Sequence, residues 1–259
     1  LLFRGEAGIG KTALLGYAAR RATGMQVLAA RGIEAESEIP FSGLFELLQP
    51  LLGRVADLPA RQAEALQGAL ALGPPTGADP FAVAAATLGL LAAAGADGPI
   101  LVVVDDLQWL DAASFEAILF AARRIEAEPA ALLLAMRDDG SGAWSRLGLP
   151  VRHVTGLDRA ASIELVTVDA GGPVPEEFAD RLFTETGGNP LALIEIPKLL
   201  PRGLVAGLEA LGDEPLPVNE RIEWAFARQA AGLGDGARTA LLVAAANDAA
   251  DVDPVLAAL

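Results

Sequence analysis

The chain has 259 residues, 53% of them hydrophobic, and its 34 acidic residues outnumber 19 basic ones, for a formal net charge of −15. Such a composition excludes a disordered chain and fits a helix-rich globular one with a sizeable core and a smaller second unit. The charge argues against direct duplex binding, which gains affinity by releasing counterions through Lys and Arg, and the absence of cysteine excludes disulfides and thiolate-bound metals.

Leu1-Leu2-Phe3 reads as a short buried strand. It runs into Gly5-Glu6-Ala7-Gly8-Ile9-Gly10-Lys11-Thr12, the spacing of a phosphate-binding loop. Glycines at 5, 8 and 10 let the backbone take positive φ and turn its N–H groups around an anion. Lys11 can reach the β and γ oxygens, and the Thr12 hydroxyl can ligate the Mg²⁺ that bridges them. A helix over residues 11–21 presents its N-terminal dipole to the same anion. Gly5, Gly8, Ile9, Gly10, Lys11, Thr12 and Ala13 are therefore the candidate nucleotide contacts, with ATP or ADP and Mg²⁺ as expected cofactors. The bland alternative is a glycine-rich turn that happens to contain Lys-Thr.

A second strand is expected over 26–30, then an acidic loop through Glu34, Glu36 and Glu38 that reads as solvated. An amphipathic stretch follows over 44–52, with helices over 61–72 and 80–94 separated by the breaker Gly73-Pro74-Pro75-Thr76-Gly77. Residues 81–94 form the most apolar segment. They are short for a bilayer and alanine-rich, so a packed helix is expected and no membrane span.

Residues 100–106, Ile-Leu-Val-Val-Val-Asp-Asp, form an apolar, β-branched run ending in two carboxylates, as a buried parallel strand ending at a ligand crevice should. Asp105 is the expected holder of Mg²⁺, partly through water, and Asp106 the candidate to orient or deprotonate an attacking water. Alone, the pair reads equally as a strand-to-loop cap. A helix over 112–126 capped by Asp111, a strand over 131–136 and a shorter strand over 151–154 complete an α/β pattern, and the chain is helical from Asp158 onward. Arg137 follows an apolar strand directly. It is either a γ-phosphate contact at the sheet edge or a surface arginine. The pairs Arg20-Arg21 and Arg123-Arg124 read as solvated helix faces.

Four strings occur in order: GEAGIGKTALL, LVVVDDLQWLD, LLLAMRDD and TGGNPLAL. Together they resemble the ATPase module of large ATP-binding regulators of the LuxR family, within the signal-transduction ATPases with numerous domains, the STAND class. The resemblance implies a three-layer P-loop NTPase core with a parallel sheet, of the ASCE or AAA-like kind, over 1–156. A helical, lid-like domain over 157–215 and the start of a winged-helix unit over 216–259 would follow. It implies that Arg137 senses the γ-phosphate, that Asp106 with Lys11 and Arg137 supports slow hydrolysis, and that Pro190, within Gly188-Asn189-Pro190, packs near the base. Asn189-Pro190 is also a plain helix start.

Further expectations follow from the same resemblance. Self-association or inducer-linked assembly would pass through domains outside this chain, and DNA contact through a helix-turn-helix that it lacks. His153, the single histidine, is expected to be structural rather than a phosphate contact. The chain starts without Met and enters a strand at once, so it reads as a segment of a longer, cytoplasmic protein without a signal peptide. Two other functions stay open: an ATPase of a nucleic-acid machine, such as an origin-recognition or helicase-loader protein, and a nucleotide-binding module that does not hydrolyse. A kinase is disfavoured because no acceptor-binding motif is visible.

Overall fold

The structure, a computed structural model, describes residues 1–73, 79–125, 129–138, 146–205, 216 and 234–246. By internal contacts it divides into two units: Leu1–Glu6 with Gly10–Val154, and Ala7–Ile9 with Thr155–Leu259. Most of the expected winged-helix region, 216–259, lies outside the described residues.

The first unit is an α/β layer structure. Strands β1 (Leu2–Gly5), β2 (Gln26–Arg31), β3 (Ile100–Asp105), β4 (Ala130–Arg137) and β5 (Val151–His153) form one parallel sheet in the order β2-β3-β4-β1-β5. The phosphate-loop strand β1 and the carboxylate strand β3 are thus not neighbours, and β4 lies between them. Strand β3 is buried along its whole length, which its Ile-Leu-Val-Val-Val run allows because both faces are covered. The period-2 pleat sorts its residues. Ile100, Val102 and Val104 join the large core with helices α2 (Ser42–Leu48), α3 (Ala60–Ala69), α4 (Pro80–Asp97) and α5 (Ala112–Ala122), whereas Leu101 and Val103 meet Leu15 of α1 (Lys11–Arg21) on the other face.

Local chemistry sets the helix limits. Helix α4 begins at Pro80 behind Asp79, whose carboxylate accepts from the Phe81 N–H at 3.1 Å, and it runs on to Asp97, past the expected end at 94. Among the described residues it alone is long and apolar enough to cross a membrane, and half of it is buried in the core. The expected amphipathic stretch 44–52 divides: α2 ends at Leu48 and a 3₁₀ segment, Gln49–Asp57, takes over. Pro50 explains this, since it lacks the N–H an α-helical ladder needs there and its ring crowds the preceding turn.

In the second unit, α6 (Arg159–Ala170), α7 (Glu176–Thr186) and α8 (Pro190–Leu199) pack around Val166, Phe178, Leu182, Ala192, Leu193 and Ile196. A short helix, α9 (Arg202–Val205), and a further helix, Asp235–Ala246, complete the described elements.

Candidate nucleotide site

Sheet register sets out the first unit's functional side chains. Gly5 of β1 lies beside Arg137 of β4, and Arg31 of β2 beside Asp105 of β3, all at the carboxyl ends of parallel strands. Ligands of open α/β sheets bind outside those ends. Past Gly5 the chain makes its loop with Gly8 at φ 75° and Gly10 at φ 98°, both in the left-handed region, and α1 starts at Lys11.

Lys11 is buried, and its ammonium donates to the carbonyls of Gly5 at 2.8 Å and Glu6 at 2.7 Å. Burial pushes its pKa down to about 8, helped by the Arg137 guanidinium and opposed by the carboxylates of Asp106, Asp105 and Asp138. The Thr12 hydroxyl donates to Asp105 Oδ2 at 2.7 Å, and Asp105 Oδ1 accepts from the Asp106 N–H at 2.9 Å. A hydroxyl and a carboxylate in direct contact are the oxygen donors a hard divalent cation prefers, so these two residues fit Mg²⁺. Ile9 is buried, and Ala13 is exposed on α1.

Asp106 stands in the left-handed region at φ 49°, and its carboxylate has other partners than that of Asp105. Arg31 donates to Asp106 Oδ2 twice, from Nε at 3.2 Å and from a terminal nitrogen at 2.9 Å. Gln108 donates to Oδ1 at 2.9 Å, and its amide oxygen accepts from the Arg137 N–H at 3.0 Å. Arg137 itself places Nε 3.9 Å from Asp106 Oδ1. Arg31 and Gln108 were not expected here. Arg31 carries the signal that marked Arg137, an arginine ending an apolar strand, and Gln108 stands inside the string LVVVDDLQWLD.

Residues 1–134, from β1 through most of β4, match the AAA ATPase domain family. The chain belongs to that family. Membership implies nucleotide binding. Among solved structures, this AAA ATPase domain chain is similar to a STAND protein with a tetratricopeptide repeat sensor from Pyrococcus horikoshii, at 17% identity and a TM-score of 0.48, covering 96% of this chain and 32% of that one. It therefore spans about a third of that protein's length. A Walker-type ATPase of Pyrococcus abyssi is similar at 14% identity and a TM-score of 0.48, with coverages of 95% and 69%. AMPPCP-bound DnaA from Aquifex aeolicus is similar at 15% identity and a TM-score of 0.44, with coverages of 80% and 57%. No curated protein matches the chain.

Around this core of the AAA ATPase domain, two carboxylates organise the backbone. Asp111 is buried and caps α5 through the Ser114 N–H at 2.9 Å, while accepting from the Phe41 N–H at 2.8 Å and the Gly43 N–H at 3.3 Å on the far side of the turn. Burial alone would raise its pKa, but the hydrogen bonds from Ser114, Phe41 and Gly43 outweigh it and hold the carboxyl below its ordinary range. Asp138 binds the buried Arg4 of β1, and its Oδ2 lies 3.2 Å from His153 Nε2, where it accepts the hydrogen bond of the ring N–H, so the histidine has a side-chain partner on β4's end. Glu36 is exposed in a 3₁₀ turn. Pro190 occupies the first position of α8 behind the cap Asn189.

Proposed function

We propose that this chain is an ATP-binding, slowly hydrolysing switch module of a STAND-class, LuxR-type transcriptional regulator, with its nucleotide state controlling activation or assembly. One observation carries the nucleotide chemistry: the Thr12 hydroxyl and Asp105 carboxylate meet at 2.7 Å beside a buried Lys11, with Asp106 and Arg137 on the same strand ends. Thr12 and Asp105 would hold Mg²⁺, which when bound would neutralise charge on the β and γ phosphates. Lys11 releases the Gly5 and Glu6 carbonyls and turns to phosphate oxygens. Asp106 accepts the proton of the water whose oxygen bonds to the γ-phosphorus, and the bond to the bridging oxygen breaks so that ADP leaves with it. Arg137 offsets the negative charge on the γ oxygens.

The switch rests on differential contact: ATP gives Arg137 and Asp106 a γ group to address, and ADP gives none. The regulator assignment is supported by the order of the four strings, with DNA contact and self-association assigned to regions outside this chain. Titrations of ATP and ADP, each with a measured hydrodynamic radius, test it. Equal affinities and equal radii would remove the switch. A second reading, binding without turnover, is favoured by the engagement of both Asp106 oxygens with Arg31 and Gln108, and absence of phosphate release from saturating ATP would select it.

A further inference from the structure

The second unit contains three residues of the phosphate loop, Ala7–Ile9, and they are held by the start of α8. Asn189 is buried, and its amide nitrogen donates to the Ala7 carbonyl at 2.9 Å across 182 positions of sequence. Its Oδ1 caps α8 by accepting from the N–H groups of Leu191 at 3.1 Å and Ala192 at 3.4 Å. The Leu191 N–H is shared, because it also donates to the Gly8 carbonyl at 3.2 Å. Two successive loop carbonyls are therefore turned toward the first turn of α8.

In a trans peptide the carbonyl and the following N–H point in opposite directions. Drawing the Ala7 and Gly8 carbonyls toward α8 sends the Gly8 and Ile9 N–H groups to the opposite side of the loop. We propose that Asn189 is a positioning residue that fixes the Ala7–Gly8 peptide plane directly and the Gly8–Ile9 plane through the Leu191 N–H it shares, so that consecutive N–H groups present an anion nest before nucleotide arrives. Gly8 is required twice over. Its φ of 75° suits glycine, and a Cβ there would stand 2.7 Å from Leu191 Cβ and 2.9 Å from Asn189 Oδ1. The arrangement also works in reverse: phosphate that holds the loop's N–H groups stabilises the α8 start by the same free energy. This role deepens the nucleotide-binding reading and rests on it.

The test separates the cap from the loop contact. Asn189→Ser keeps a capping oxygen but cannot present the amide donor, and Asn189→Asp keeps the oxygen and replaces the donor with a charge. Affinities for ADP and for inorganic tripolyphosphate are measured by displacement of a fluorescent ADP analogue from the intact chain, together with thermal melting. Both variants are expected to lose about tenfold or more in affinity for each ligand, since a buried carbonyl loses its donor, while α8 stays capped. Wild-type affinity in Asn189→Ser, or a loss confined to Asn189→Asp, would overturn the proposal. In the unsubstituted protein, ADP should slow hydrogen exchange at the amides of Leu191 and Ala192, and unchanged exchange would overturn it without any variant. Lys11→Ala keeps the two claims apart. If it binds as the wild type does, the nucleotide reading fails; if it abolishes binding while Asn189→Ser leaves it intact, only the positioning role fails.

Discussion

If Lys11 holds the phosphates as proposed, nucleotide affinity should depend on pH between about 7 and 9. In the nucleotide-free protein its pKa is pushed down to about 8, first by burial and then by Arg137. Phosphate oxygens favour the charged form, so binding raises the pKa again and takes up a proton. Affinity should be flat below about pH 7 and fall above 8, by about tenfold between pH 7 and 9, since each further pH unit removes another factor of ten of the charged form. At pH 8 about half a proton should be taken up per nucleotide bound. Cysteine is absent, the one tyrosine is Tyr17 and Lys198 is the only other lysine, and the Leu1 α-amino group, which burial pushes below its ordinary value, titrates in both the wild type and the Lys11→Arg control and so cancels in their difference.

Calorimetry of ADP binding in two buffers of different ionisation enthalpy reads the proton directly. The Lys11→Arg variant supplies the control, because guanidinium stays charged and its profile should be flat. Stability moves the other way. The folded pKa lies below the unfolded one, so the unfolded chain binds more protons between about pH 8 and 10.4, and the nucleotide-free protein should gain stability there, on the order of 3 kcal/mol at most. An ADP affinity that stays constant from pH 7 to 9, with no proton uptake at pH 8, would refute the assignment of Lys11 to the phosphates.

Asp106→Asn should leave ATP affinity within a few fold and remove most phosphate release, measured by coupled assay; unchanged turnover would show that Asp106 is not the proton acceptor. Arg31→Ala releases Asp106 Oδ2 from its two hydrogen bonds and should raise the turnover of bound ATP. Because the Arg31 side chain is 64% exposed, stability should change by less than about 1 kcal/mol in a urea titration. Asp111→Ala removes the cap of α5 and the acceptor for Phe41 and Gly43, and should cost about 2–4 kcal/mol by denaturant unfolding. Because hydrogen bonds hold the Asp111 pKa below its unfolded value, its contribution is present above about pH 4 and is lost as pH falls through the folded pKa, a loss the Ala variant should lack. Gly32→Ala would drive a Cβ into the Asp106 carbonyl oxygen, so the turn after β3 must move, and phosphate release should fall with it.

The loop, the buried strand and the helix starts were legible because each rests on neighbours in sequence. Gly8, Gly10 and Lys11 announce their geometry by type, and Asp111 announces its cap by standing just before an apolar run, whereas the caps Asp79 and Asp158 were found only in the structure. Arg31 was not legible, although its residue type and position matched those of Arg137. Its meeting with Asp106 depends on β2 pairing with β3 in a register that crosses three intervening helices. Asn189 was half legible. Asn-Pro marks a helix start by local rules, whereas the bond to Ala7 exists only once the chain has folded. The second task of Asp111, holding Phe41 and Gly43, was hidden for the same reason.

Adjacent aspartates of identical chemistry take different parts because the backbone separates them. Asp105 ends a fully buried strand and turns to Thr12, one step from the phosphate loop. Asp106 enters the left-handed region at φ 49°, a conformation that costs an L-residue roughly 1–2 kcal/mol and that Asp tolerates better than most. The turn holds it there by satisfying its backbone: the Asp106 carbonyl accepts from the Trp109 N–H at 2.8 Å, and Gly32 leaves the room that carbonyl needs. Strain stored at such a position, and repaid by the surrounding structure, marks a place where geometry matters more than stability. With the Asp106 carboxylate then shared between Arg31 and Gln108, the proposed proton acceptor is fixed in place but occupied. On the proposed reading, such a site would bind nucleotide and turn it over only when Arg31 lets go, as a protein that reports its nucleotide more than it consumes it would require.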